Sequence, residues 1–336
     1  MGKALKNINF LRKFGLSYFK YTALFVRVIP TDNCNSNCLY CYQKKINASN
    51  MSWDLFNQVL DKAIKLNVGF ISFLGGEPML WEYIYDAIAL CSKHNILTDM
   101  TTNGTLLNDV AVQRLGSSGL DYLNVSVDTH DNYSVSKKNT FFNKSLIKAL
   151  NCAKKNYGMK FRMNSVIYNN NFEDIKLLLE LSNQNKIPHS LGFIVPNMKD
   201  IDNKEIYFSE RDIELLENIV KYILNKKKKK YLIIDPKSYY TNVFRFIKQE
   251  SFWKCNYPTK IGWINVTPNG AIRSCTKKMD ETNFHFLSLT SKKIKSLKSY
   301  LKTLVKGCNP YCYSSCAYDA AFYKKNKIIF IFNNIF

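Results

Sequence analysis

Cys34-Asn35-Ser36-Asn37-Cys38-Leu39-Tyr40-Cys41 follows directly on the apolar run Leu24-Phe25-Val26-Arg27-Val28-Ile29, and the reading of that join decides the fold. Three cysteines spaced CxxxCxxC on a loop rich in Asn and Ser can wrap one soft metal centre while leaving a coordination position to something other than protein. A structural zinc site takes four protein ligands, yet the next cysteine is Cys91 and the first histidine His94. A zinc knuckle completed from far away stays open as a reading. A three-cysteine iron–sulfur cluster with one exposed iron fits the ligand count better.

Outward from the loop, short apolar runs alternate with amphipathic stretches. Strands are predicted at 24–30, 68–74, 96–102, 122–127, 160–168 and 190–195. Helices are predicted at 53–66 with Ser52 as N-cap, then at 79–93, 107–115, 143–156 and 172–185. Six strand-then-helix steps give an α/β protein, a partial (β/α)6 barrel of parallel strands with helices outside. Reactive residues of such folds gather at the C-terminal strand ends, and Cys34, Gly75, Asn103 and Asp128 each lie just past a predicted strand.

The cysteine spacing, with the aromatic Tyr40 before the last cysteine, resembles the signature of the radical S-adenosylmethionine (SAM) superfamily. Gly75-Gly76-Glu77-Pro78 resembles that family's GGEP segment, which holds the amino group of the methionine moiety. Thr102-Asn103-Gly104 and Ser126-Val127-Asp128 close the next two strands, where relatives place SAM-binding polar groups; Asn164 and Pro196 resemble residues near the SAM ribose and adenine. The resemblance implies a 4Fe–4S cluster on Cys34, Cys38 and Cys41, with Tyr40, Gly75, Gly76, Glu77, Pro78, Asn103, Ser126, Asp128 and Asn164 around SAM. It further implies an external one-electron reductant of flavodoxin or ferredoxin type, cleavage of SAM to a 5′-deoxyadenosyl radical, and removal of a hydrogen atom from the substrate. His130, at the expected barrel mouth, is a weaker catalytic candidate.

Cysteines return at the far end. Cys255 and Cys275 frame a predicted hairpin, CX14GX4C, whose turn is Thr267-Pro268-Asn269-Gly270. After a basic helix over 292–305 come Cys308, Cys312 and Cys316. This arrangement resembles the SPASM/twitch extension of radical SAM enzymes, which carries one or two auxiliary iron–sulfur clusters. The last part departs from the fuller form, CX2CX5CX3C and a further cysteine, because here it reads CX3CX3C with nothing after Cys316. Two full clusters want about seven or eight cysteines, and five lie beyond residue 250. The count favours one auxiliary 4Fe–4S cluster on Cys255, Cys275 and two of the last three, with one thiol left as a bystander or hydrogen-atom donor. A zinc ribbon is the plainer alternative. Cys91 and Cys152 fall in helical patterns and read as buried small hydrophobes.

The division expected is a helical segment at 1–23, the barrel at 24–200, a helical connection at 201–250 with helices near 209–225 and 237–249, and a small cysteine-rich hairpin-and-helix domain at 251–336. Residues 4–21 carry Leu5, Ile8, Leu11, Phe14, Leu16 and Phe19, a stripe suited to capping the barrel bottom or to lying on a membrane surface. Lysines interrupt it too often for a signal peptide or a span. Ten cysteines in a chain without an export signal point to metal use in a reducing cytoplasm. The formal charge of +22, from 48 basic and 26 acidic residues, suits acidic partners. A biased Lys, Asn, Ile and Phe usage explains it equally well, so nucleic acid is not favoured as a partner. Lys226 to Lys230 reads as a solvated loop.

Two substrate classes fit: a ribosomally made peptide to be cross-linked, or a small sugar-like or nucleotide-linked molecule to be dehydrogenated or epimerised. A peptide substrate calls for a separate leader-peptide-binding protein, since 23 residues before the first strand are too few for a packed domain. A non-catalytic iron–sulfur or zinc protein, and an RNA-directed enzyme, are the remaining readings.

Overall fold

The structure, a computed structural model, describes residues 2–20, 25–41, 49–129, 138, 144–194, 208–248, 250, 263–275, 281–305, 313 and 318. Six parallel strands run in sequence order: β1 (Phe25–Val28), β2 (Phe70–Phe73), β3 (Leu97–Thr102), β4 (Tyr122–Ser126), β5 (Lys160–Ile167) and β6 (His189–Phe193). Between them come α2 (Trp53–Lys65), α3 (Ile84–Lys93), α4 (Asp109–Ser117), α5 (Lys144–Tyr157) and α6 (Phe172–Gln184). The expected α/β architecture is present, as a curved sheet that does not close.

One face of the sheet is apolar and covered by the helices: Val26, Ile71, Met100, Leu123 and Met163 share a buried core with residues such as Phe56 and Ile88. Because side chains alternate along a strand, the opposite face carries Arg27, Ser72, Asp99, Asn124, Arg162 and Asn164, brought side by side by the strand registers. This second face is a polar chamber with an aromatic floor. Phe25, Phe70 and Leu97 build the floor with Phe10 of α1 (Gly2–Lys20), at ring separations of 5.8 Å to Phe25 and 6.3 Å to Phe70.

Helix α1 thus caps the barrel bottom, as its stripe suggested, but through a different face. Leu5, Ile8 and Leu11 are exposed, whereas Lys6, Phe10 and Lys13 are buried. The strand starts explain the inversion. They present unpaired carbonyls and a carboxylate, and Lys6 Nζ bonds Asp121 Oδ2 at 2.9 Å and Gly119 O at 2.8 Å while Lys13 Nζ bonds Val68 O at 2.8 Å. Buried ammonium groups are tolerated when so paired. Among the described residues no helix is long and apolar enough to cross a membrane.

A third segment completes the sheet. β7 (Trp263–Val266) pairs in parallel with the free side of β1, and β8 (Ala271–Arg273) and β9 (Glu281–His285) continue antiparallel, giving nine strands that end on β6 and β9. The expected turn is in place, with Gly270 N donating to Thr267 O at 2.9 Å. The sequence reading missed β9 and the docking of β7 on β1.

Elsewhere the sequence expectations need adjusting. Trp81 is buried and its indole N–H donates to Met51 O at 2.8 Å, so residues 78–80 form a short 3-10 turn and α3 starts only at Ile84. The lysine run is not simply a solvated loop: α7 (Ile213–Lys228) continues into it, Lys226 pairs with Glu180, and Lys227 bonds Asp235 O at 2.7 Å. Basic side chains suit a helix C-terminus. The helix expected at 237–249 is two short ones, α8 (Lys237–Thr241) and α9 (Val243–Ile247), either side of Asn242. The basic helix is α10 (Ser291–Val305). Cys91 is buried, but Cys152 is exposed, because its turn of α5 faces away from the sheet.

His189 is fully buried with Nε2 2.8 Å from Ser165 Oγ, whose hydroxyl donates to Val127 O. The hydroxyl therefore accepts from Nε2–H, and Nδ1 has no partner among the described residues. Burial pushes the imidazole down to about 3. The unfolded chain takes up this proton near pH 6.5 and the folded one does not, so stability is lost as pH falls below 6.5, by at most about 1.4 kcal/mol per pH unit. Urea midpoints between pH 7 and pH 4.5 should fall less steeply for His189→Gln than for the parent chain. Phe10→Ala should cost about 3 kcal/mol in the same denaturation at pH 7.

Candidate functional site

The cysteine loop leaves the C-terminal end of β1 and is held there by backbone. Gly76 N donates to Thr31 O at 3.0 Å and Glu77 N to Asn33 O at 2.7 Å. The chains approach so closely that a Cβ on Gly76 would stand 2.0 Å from Asn33 O, and one on Gly75, at φ +141°, would stand 2.6 Å from Ile29 Cγ2. Only glycines fit both positions. Within the loop Cys41 N bonds Cys38 O at 3.0 Å, and Cys34 Sγ receives Ser36 N–H at 3.4 Å and Asn103 Nδ2 at 3.9 Å. Cys38 is buried; Cys34 and Cys41 are half-buried.

Glu77 sits beneath the loop at 1% exposure. Thr102 Oγ1 and Asn103 N donate to its two oxygens, each at 2.7 Å, and Met79 N adds a bond at 3.2 Å. Burial pushes this carboxyl up, against the pull of those donors. Pro78, also buried, starts the turn that follows. Asn103 continues the chain of contacts, donating to Asn35 Oδ1 at 2.7 Å and Ser36 Oγ at 3.1 Å. The ends of β2 and β3 thereby grip the cysteine loop.

On the far side Tyr40 donates to Asp128 Oδ2, and Asp128 Oδ1 accepts Val166 N–H at 2.8 Å. Lys138 Nζ lies 2.9 Å from Tyr40 Oη and 3.7 Å from Asp128 Oδ2. Burial, then Asp128, raises the Tyr40 phenol well above its usual value. Burial works against the Lys138 ammonium, but Tyr40 and Asp128 outweigh it and hold its pKa high. Ser126 and Asn164 are register partners on the chamber face, and Asn164 Oδ1 is buried with no partner among the described residues.

Below this rim lies the chamber. Asn124 Nδ2 bonds Asp99 Oδ2 at 2.8 Å and Arg162 Nε bonds Asn124 Oδ1 at 2.6 Å. Arg27 stacks 4.3 Å over the Trp263 ring, and Arg273 reaches Asp32 at 4.0 Å. Burial raises the Asp99 carboxyl, while Arg162 and Arg27 oppose it. Arg273 pairs with Asn265 in β7, and β8 runs from the rim toward the floor, so Cys275, two residues on, lies toward the floor.

The structure therefore gathers Cys34, Cys38, Cys41, Tyr40, Gly75, Gly76, Glu77, Pro78, Asn103, Ser126, Asp128 and Asn164 at one rim and sets Cys275 apart from them. Cys255, Cys308, Cys312, Cys316 and His130, like Pro196, lie outside the described residues. Lys138 and the chamber arginines escaped the sequence reading. The arginines carried a signal, since each occupies the polar phase of an alternating strand; Lys138 carried none.

The donor set fits a multi-iron cluster. Three thiols leave the same rim, and N–H groups point at one of the sulfurs. Asn164 Oδ1, buried and without a partner among the described residues, lies beside the same rim.

Open parallel sheet, three-cysteine rim and GGEP turn together define a radical SAM domain, and residues 28–182 match the Radical SAM superfamily. The chain is a radical SAM enzyme. It is 28% identical over 276 residues, 75% of this chain and 80% of the other, to a GTP 3′,8-cyclase from Clostridium perfringens. Streptococcus suis SuiB bound to its precursor peptide SuiA shares the fold at TM-score 0.60 and 20% identity, over 83% of this chain and 66%, just under two thirds, of that one. So does anSMEcpe with bound AdoMet and the Cp18Cys peptide, at TM-score 0.62 and 16% identity over 93% and 99%.

Gly76→Ala should push the 31–33 backbone outward and release the cysteine loop. Iron bound after anaerobic reconstitution should drop well below that of the parent chain, while the far-ultraviolet circular dichroism stays unchanged.

Proposed function

We propose that this radical SAM enzyme oxidises a carbon centre of a peptide, with a cluster on Cys34, Cys38 and Cys41 at one end of the chamber and an auxiliary centre involving Cys275 at the other. The observation that supports the reading is the register: the polar face of the sheet extends from the rim cysteines down to β8, whose direction sets Cys275 toward the strand starts. When bound, the rim cluster and SAM supply a 5′-deoxyadenosyl radical, and the auxiliary centre supplies an acceptor for one electron.

The chain's own residues position and exclude. Asn103, Asn35 and Ser36 fix the loop; the Gly75–Pro78 backbone lines the rim where the resemblance puts the methionyl amine; Asn164 Oδ1, without a partner among the described residues, is an acceptor beside it. The aromatic floor seals the bottom against water, which an unselective carbon radical demands. Removing a hydrogen atom and then an electron leaves a proton to be lost. Asp99, whose carboxyl burial pushes up, is placed in the chamber to accept it, with Asn124 and Arg162 fixing its orientation. Among the described residues the sheet ends on β6 and β9 without joining them.

A second reading has its own observation. Arg27, Arg162 and Arg273 give the chamber a positive wall suited to phosphates, and the cyclase relatives are named for GTP. Reconstituted, reduced enzyme incubated with SAM and either candidate precursor peptides or GTP separates the two. Hydrogen transfer from a deuterated peptide into 5′-deoxyadenosine supports the first; turnover of GTP with every peptide inert overturns it.

Cys34→Ala, Cys38→Ala or Cys41→Ala should abolish 5′-deoxyadenosine formation, whereas Cys275→Ala should keep it and lose product. Asp99→Asn should keep 5′-deoxyadenosine formation and lower product yield at least tenfold, by chromatography of the same reactions.

A further inference from the structure

Lys138 is the one described residue between 130 and 143, and it is tied to the site three times over. Its carbonyl accepts Asp128 N–H at 2.9 Å and Thr129 N–H at 3.4 Å. Its ammonium donates to Tyr40 Oη at 2.9 Å and stands 3.7 Å from Asp128 Oδ2. It also lies 5.1 Å from the centre of the Tyr40 ring. Tyr40 and Leu39 are the two residues between Cys38 and Cys41 in the loop's CxxC half, so whatever holds the Tyr40 ring holds the stretch of backbone that joins these two cysteines. The side chain is 15% exposed, and its charge is felt at Cys34, at Cys38 and at Glu77.

A fixed cation in a poorly solvated pocket favours whichever state of its neighbour is more negative. For an iron–sulfur centre that state is the reduced one, and local charge is among the main determinants of its potential. Asp128 and Glu77 pull the other way, but both are engaged: Asp128 by Tyr40, Val166 N and Lys138, Glu77 by Thr102, Asn103 and Met79. Among the described residues, Lys138 is the cation set against Tyr40 and Asp128 beside the cysteine loop. We propose that Lys138 is a positioning residue which, anchored by Tyr40 and Asp128, raises the reduction potential of the centre on Cys34, Cys38 and Cys41 and so eases its loading by an external donor. The inference rests on the reading that these three cysteines hold a cluster.

The test is an anaerobic redox titration of the full chain followed by electron paramagnetic resonance, reading the signal that changes when SAM is added. Lys138→Gln should move the midpoint to a more negative potential, and Lys138→Arg, which keeps the charge, should stay near the parent value. Lys138→Gln that fails to assemble the centre while Lys138→Arg assembles it also supports a need for the charge. Equal midpoints in all three proteins overturn the proposal, as does an identical defect in both variants, which marks a purely structural role. A parent chain with no SAM-responsive signal sinks the cluster assignment itself, an outcome distinguishable from the others.

Discussion

Two stretches of backbone pressed together hold this site. The Gly75-Gly76 turn after β2 lies against residues 31–33 after β1, and Glu77 N donates to Asn33 O across the seam. Main-chain contacts of this kind cannot be relaxed by rotamer changes, so the position of Cys34 is inherited from the register of two adjacent parallel strands. Glu77 extends the seam to β3 by bonding Thr102 and Asn103, and Asn103 returns to the cysteine loop. Three strand ends are thereby made one rigid rim.

The sheet beneath divides labour by parity. Alternate residues of the same strands feed either the helix-packed core or the chamber, so every polar group in the chamber is backed by a close-packed apolar layer one residue away. That backing explains how Asp99, Asn124 and Arg162 keep fixed orientations on the polar face. Helix α1 contributes from below with two buried ammonium groups, which satisfy strand-start carbonyls that the open bottom of the barrel leaves unpaired.

Much of the barrel was legible because its signals are local. The apolar runs with strand-ending Gly75, Asn103 and Asp128, and the cap Ser52, lie within a few residues of the elements they mark. The rim followed, since each motif closes a strand and parallel strands share their ends. What escaped depends on distant partners. Phe10 and the lysines of α1 are chosen over Leu5, Ile8 and Leu11 by what the strand starts present, not by helical hydrophobicity. The pairing of β7 with β1 joins segments from opposite ends of the chain, and Lys138 reaches Tyr40 from a stretch without periodicity. Cys152 read as buried because helical periodicity alone does not say which way a helix turns its minor positions.

The docking of β7 on β1 also orders events in time. Phe25 is matched with Trp263, so while the chain is being made β1 offers a bare edge from its emergence until β7 leaves the ribosome. The strand that carries the cysteine loop is therefore the last of the barrel to gain both neighbours. Until β7 arrives, the strand beneath the cysteine loop is framed on one side only, by β2.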